Sequence, residues 1–141
     1  MDDSRIFNQC IKTSASNLTR LCLNKMISIT FETLAAIKKH CKKLEVLDIY
    51  VDEVRSLDPH TPVEQVVAET NNCDWQSLKS LKLGGSVPSG SVLEFLVAGC
   101  PNIKVLCYSL YEGCCDFITD QYIEKLIVNN PMPKLTAFYC V

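Results

Sequence analysis

Leu44-Glu45-Val46-Leu47-Asp48-Ile49 is the stretch that decides the fold. Side chains of an extended strand alternate sides. Leu47 and Ile49 therefore face one way, while Val46, Asp48 and Tyr50 face the other. A strand covered on both faces reads as a continuous aliphatic run. This one has a dry face and a wet face. The same pattern returns as Leu18-Thr19-Arg20-Leu21-Cys22-Leu23, Leu78-Lys79-Ser80-Leu81-Lys82-Leu83, Ile103-Lys104-Val105-Leu106-Cys107-Tyr108 and Leu135-Thr136-Ala137-Phe138-Tyr139-Cys140. First positions at 18, 44, 78, 103 and 135 give steps of 26, 34, 25 and 32 residues. Five strands are expected near 18–23, 44–49, 78–83, 103–108 and 135–140.

A helical stretch lies between each pair of strands. Phe31, Leu34, Ala35, Ile37 and Cys41 recur at spacings that make one apolar stripe. Val63, Val66, Val67 and Thr70 repeat this more weakly. Val92, Leu93, Phe95, Leu96 and Val97 form a third helix, and Tyr122, Ile123, Leu126 and Ile127 a fourth. Thr61-Pro62-Val63-Glu64 and Ser91-Val92-Leu93-Glu94 read as capping boxes, the first with proline at the opening helical position. Thr119 and Asp120 can cap the last helix. Gly99 with Pro101, and Asn129-Asn130-Pro131, read as stops.

Strand and helix in alternation permit a doubly wound sheet or a solenoid with strands inside and helices outside. Arg20, Asp48 and Lys82 between the apolar strand positions favour the solenoid, whose strands are wet on one side. Two of the four steps lie in the range of a leucine-rich unit, and loop insertions account for the longer two. The expectation is α/β: a right-handed β-α superhelix, horseshoe-like, with parallel strands on the concave face and helices on the convex face. Residues 1–141 form one domain of about five repeats. The last strand reaches Val141 without a capping helix, so a longer array is expected.

Cys41 stands three residues before Leu44, and Cys100 three before Ile103. Ile29-Thr30 and Ile118-Thr119-Asp120 open helices after a strand. This resembles the cysteine-containing leucine-rich repeat of F-box/leucine-rich-repeat proteins, from about Ser16 onward. Trp75 and Met132 stand in the cysteine place in two copies. Met26, Asp52, Ser86 and Tyr111 occupy the polar-ladder position eight after the first leucine. The resemblance implies that the repeats hold a target protein for ubiquitin transfer while an F-box binds the rest of the ligase. The stretch before Leu18 is too short for an F-box, so contact with a ligase core is expected only if that module lies outside this chain.

Composition bounds the partners. Of 141 residues, 48% are hydrophobic and 21% charged, and the formal net charge is -2. That balance fits a globular protein and lacks the basic excess of a nucleic-acid binder. No apolar run is long enough to span a bilayer. The start Met1-Asp2-Asp3-Ser4 is acidic where a signal peptide is basic. Nine scattered cysteines read as reduced thiols rather than a disulfide frame. A cytoplasmic or nuclear setting follows, in which the sequon Asn17-Leu18-Thr19 is silent.

A protein partner is expected on the concave face. Alternation places Arg20, Asn24, Asp48, Tyr50, Lys82, Ser109 and Tyr139 there, beside Cys22, Val46, Ser80, Val105 and Cys107. Tyrosine and arginine are frequent interface anchors; the plain alternative is a solvated surface. Two loop insertions, 52–60 and 111–117, are secondary candidates. Gly85-Ser86-Val87-Pro88-Ser89-Gly90-Ser91 has phosphate-loop glycine spacing, but Ser91 replaces the lysine that neutralises phosphates, so it reads as a turn. Cys114-Cys115 lacks zinc-ligand spacing, and a redox role there needs a lowered pKa. His40 and His60 belong to no catalytic motif. No enzyme activity, metal or cofactor is expected; a leucine-rich adaptor or assembly factor without any ligase link is the alternative function.

Overall fold

The computed structural model describes residues 3–86, 90–110 and 118–140. Helices and strands alternate through them as α1 (Asp3–Ser14), β1 (Arg20–Thr30), α2 (Phe31–His40), β2 (Val46–Arg55), α3 (Val63–Glu69), β3 (Ser80–Gly85), α4 (Gly90–Val97), β4 (Val105–Leu110), α5 (Asp120–Asn129) and β5 (Ala137–Cys140). Among the described residues the five strands form one parallel sheet in the order β1-β2-β3-β4-β5. The expected α/β class and parallel pairing are present.

Each strand begins two residues later than the apolar pattern suggests. The leading aliphatic residue belongs to a tight turn instead. Leu18 N–H donates to Ala15 O at 3.1 Å, Leu44 N–H to Cys41 O at 3.1 Å, Ile103 N–H to Cys100 O at 3.5 Å and Leu135 N–H to Met132 O at 3.0 Å. The next residue crosses to the preceding copy: Glu45 N–H to Thr19 O at 2.8 Å, Lys79 N–H to Glu45 O at 2.8 Å, Lys104 N–H to Lys79 O at 2.7 Å and Thr136 N–H to Lys104 O at 2.9 Å. The repeat is thus one of backbone hydrogen bonding as well as of side chains. Cys41, Trp75, Cys100 and Met132 are all buried at the equivalent place. Trp75 does more than fill it: its indole N–H donates to Cys41 O at 3.0 Å, and its backbone N–H to Gly99 O at 2.8 Å.

Two strands run further than expected. β1 and β2 continue side by side to Thr30 and Arg55, past a register shift between Leu23 and Met26. Ile29, Val51 and Val54 are buried along this extension, where β-branched side chains favour the pleat. Residues 52–55 of the first expected insertion are therefore strand. The second insertion, 111–117, with Cys114-Cys115 and the ladder residue Tyr111, lies outside the described residues.

Helix α1 was not among the expected elements. It packs on α2 and buries Ile11; Ala15, buried just past its last residue, belongs to the turn that leads into β1. Thr30 and Thr119 cap α2 and α5 as expected, accepting from the backbone N–H of Thr33 at 3.2 Å and of Tyr122 at 3.1 Å. The two capping boxes do not form. The Thr61 hydroxyl donates to Asp58 Oδ2 at 2.9 Å, leaving Pro62 at the α3 N-cap without a side-chain bond. Helix α4 starts at Gly90, so Ser91 lies inside it. Gly99 follows α4 with φ of 68°, the left-handed turn that glycine supplies at helix ends.

The core lies between the sheet and one helical layer. Leu47, Ile49, Val51, Leu81, Leu83 and Leu106 are 0–1% exposed and share a cluster with Phe31, Leu34 and Ile37 of α2 and Val92, Leu93 and Leu96 of α4. Each such side chain contributes about 1.5–3 kcal/mol through burial. The other face of the sheet holds half-buried and exposed residues, apart from Gly84, which Tyr50 covers. Only Val63 of α3 is fully buried. Helix α2 therefore reaches past α3 to α4, where the Phe31 and Phe95 rings meet edge to face at 4.8 Å and 73°.

Candidate functional site

The open face of the sheet is built by register. One row across the strands reads Arg20, Val46, Ser80, Val105, Ala137, and the next reads Cys22, Asp48, Lys82, Cys107, Tyr139. A third holds Tyr50, Gly84 and Ser109. Six of the seven residues expected to meet a partner, Arg20, Asp48, Tyr50, Lys82, Ser109 and Tyr139, lie in these rows. Arg20, Asn24, Lys82, Ser109 and Tyr139 are exposed, and Asp48 and Tyr50 are half-buried. Asn24 sits at the register shift of β1, which takes it out of the straight rows.

Asp48 and Lys82 stand opposite one another on paired strands. Among the described residues the ion pair that closes is a different one, Lys79 Nζ to Glu45 Oε1 at 2.6 Å, three residues earlier in each copy and just before β2 and β3. The Lys79 hydrogen bond and charge hold the Glu45 carboxyl below its ordinary range. The Asp48 and Lys82 heads are left to solvent or to a partner.

Tyr50 lies across the sheet over Gly84. A Cβ on Gly84 would come within 2.5 Å of Tyr50 Cδ2, so the glycine lets the ring lie flat across β3. The phosphate-loop glycines have similar steric reasons. A Cβ on Gly85 (φ +95°) would overlap the Val51 carbonyl, and one on Gly90 would strike the Tyr122 ring at 2.6 Å. Tyr122 Oη also donates to Gly90 O at 2.9 Å. Residues 87–89 of that segment lie outside the described residues.

The helical layer buries a charged residue. Lys38 of α2 is 0% exposed. Its Nζ donates to Asn72 Oδ1 at 2.7 Å, Phe95 O at 2.6 Å and Ala98 O at 2.6 Å. It also sits 4.9 Å from the Phe95 ring centroid. Ala98 immediately follows α4, so the ammonium serves carbonyls at that helix end, where cations are favoured. Burial lowers the Lys38 pKa below its ordinary value. Burial pushes the nearby Cys100 thiol up to about 11, which makes it an inert packing group. The Tyr108 hydroxyl is buried with no hydrogen-bond partner among the described residues, and burial drives its pKa upward.

Two recesses flank these features. One, of about 480 Å³, lies where β1 and β2 end and is lined by Thr30, Arg55, Leu57 and Pro59. The other, of about 410 Å³, lies among the helices. Among the described residues no three His, Cys, Asp or Glu side chains gather as a metal site, and no helix is long and apolar enough to cross a membrane. A scan against protein-family models found no match, and searches of curated proteins and of solved structures returned none either.

Proposed function

We propose that the chain is a leucine-rich-repeat stack that binds a protein through the open face of its sheet, which is concave in such a stack. The observation that carries the reading is the three registered rows across that face. Side chains of both charges and two tyrosines are held on a rigid parallel sheet, on the side away from the helices. Such a row offers aromatic anchors amid polar contacts, the composition of interface centres. The reading is of a binder rather than an enzyme, in the cytoplasm or nucleus.

Its resemblance to the F-box/leucine-rich-repeat family supports a finer reading: the open face selects substrates for a ubiquitin ligase. Contact with the ligase core then falls to an F-box outside this chain. The alternative is an adaptor or assembly factor built from the same repeats. Photo-crosslinking from positions 109 and 139, set against position 125 on α5, tests the surface. Crosslinks from 109 and 139 that vanish in Asp48→Lys/Lys82→Glu, with an unchanged melt, support it. Crosslinks from position 125 alone move the binding site to the helices. Co-purification of a ubiquitin-ligase core with the intact cellular protein separates the ligase reading from the adaptor.

A further inference from the structure

The densest run of positive charge in the chain, Lys38-Lys39-His40-Cys41-Lys42-Lys43, closes α2 and enters the following turn. Its lysines have different fates. Lys38 turns inward. Lys42 Nζ donates to Asp74 O at 2.8 Å, and Lys43 Nζ to Asn17 Oδ1 at 3.0 Å. Lys39 remains exposed and, with Lys12 of α1, rims the recess of about 410 Å³ among α1, α2, α4 and the segment after α3. Ala35, Ala36 and Phe95 make the recess apolar inside. Glu32 lines it as well; its carboxylate accepts from the backbone N–H of Leu57 at 3.1 Å, a bond that does not cancel its charge, so two lysines stand against one carboxylate. One wall, Asn72, is held in place by Lys38 Nζ. The recess is thus preformed, dry at its floor and positive at its rim. It lies on the helical side, away from the open sheet face.

We propose that this recess docks an acidic segment of a partner protein, with one bulky apolar side chain seated on Phe95 and flanking carboxylates facing Lys12 and Lys39. The volume falls in the range of roughly 300–1,000 Å³ typical of ligand sites, enough for one aromatic or leucine side chain. Two lysines around a pit do not make the extended basic track that a phosphate backbone needs. A carboxylate pair with an apolar anchor matches both the charge and the floor. Because the exposed lysines act through solvent, the binding is salt-sensitive.

The test is a titration of the full chain, followed by amide spectra, with the blocked peptide Asp-Asp-Trp-Asp-Asp. Parallel titrations use Lys-Lys-Trp-Lys-Lys and Asp-Asp-Gly-Asp-Asp. The expected result is saturable shifts at Ala35, Ala36, Asn72 and Phe95 with the first peptide alone. These should weaken about tenfold or more in Lys12→Glu/Lys39→Glu and on raising salt, and stay unchanged in Lys125→Glu on α5. No shift at those amides with millimolar peptide overturns the proposal, as does an equal response to the lysine peptide. If dilution of the chain alone moves the same amides, the occupant is a second copy and the proposal fails. Asp48→Lys/Lys82→Glu should leave this titration intact, so failure here and failure of the open-face reading are told apart.

Discussion

Lys38 is the residue on which stability and charge meet. Lysine is almost never fully buried unless paired, and its partners here lie 34, 57 and 60 residues away in sequence. Period alone puts position 38 on the buried stripe, four after Leu34 and seven after Phe31, where a lysine reads as an interruption; no local spacing discloses its partners. By contrast, Arg20, Asp48 and Lys82 were legible, because strand alternation alone assigns their side. Lys38→Met deletes three donated bonds and should cost about 1–3 kcal/mol near neutral pH. The sign with pH is set by the lowered pKa. The unfolded chain holds more protons than the folded one as pH approaches 10.5, so the Lys38 contribution rises with pH and levels above that value. In chemical denaturation across alkaline pH the gap between the two proteins should widen; a gap that narrows contradicts the burial of the ammonium. Tyr108→Phe removes an orphaned hydroxyl, so stability should stay level or rise by up to about 1 kcal/mol. A clear loss on melting means the hydroxyl has a partner.

At the scale of elements, the strands and four of the helices were readable, and their edges were not. Apolar period marks the buried face but not the turn that precedes it, so Leu18, Leu44, Ile103 and Leu135 looked like strand and serve as turn. Capping motifs misled where a nearer acceptor competed: Asp58 takes the Thr61 hydroxyl, a local bond of the kind that displaces helix caps. The sequence of α1 carries its own apolar stripe in Ile6, Phe7, Cys10 and Ile11, at i, i+1, i+4 and i+5; it lies before the strand repeat that starts at Leu18, outside the alternation that discloses the other helices. The end of β3 is the tightest joint, since Gly85 has φ of +95° with the Val51 backbone against it. Gly85→Ala should destabilise by more than about 1 kcal/mol and loosen the Ser86 N–H to Val51 O bond of 3.0 Å. Thermal melting reads the first effect and exchange at the Ser86 amide the second. An unperturbed melt would show that β3 relaxes freely there.

At the scale of the whole molecule, in-order pairing follows from repetition, which is why the parallel sheet was legible before any tertiary contact. How far the helices reach was not, because that depends on α3 being short and thinly buried. β5, four residues long, lies at one end of the sheet, while β2 is ten residues long and flanked on both sides. Amide exchange should therefore run fastest in β5 and slowest in the middle of β2 and β3, as local opening follows burial and pairing. Uniform exchange across the sheet would mean a single cooperative unit. The reach of α2 past α3 has a consequence for how such a chain can change length. In a stack where each unit touches only its neighbours, one unit can be cut out or duplicated and the joints on either side still match. Here Lys38 and Phe31 address Phe95 and Ala98 directly, so the unit between them is a spacer of set thickness. Excising residues 46–79 would bring two matching strands together and leave the lysine facing the wrong helix. Deleting that central unit is therefore expected to destabilise the chain more than removing β5.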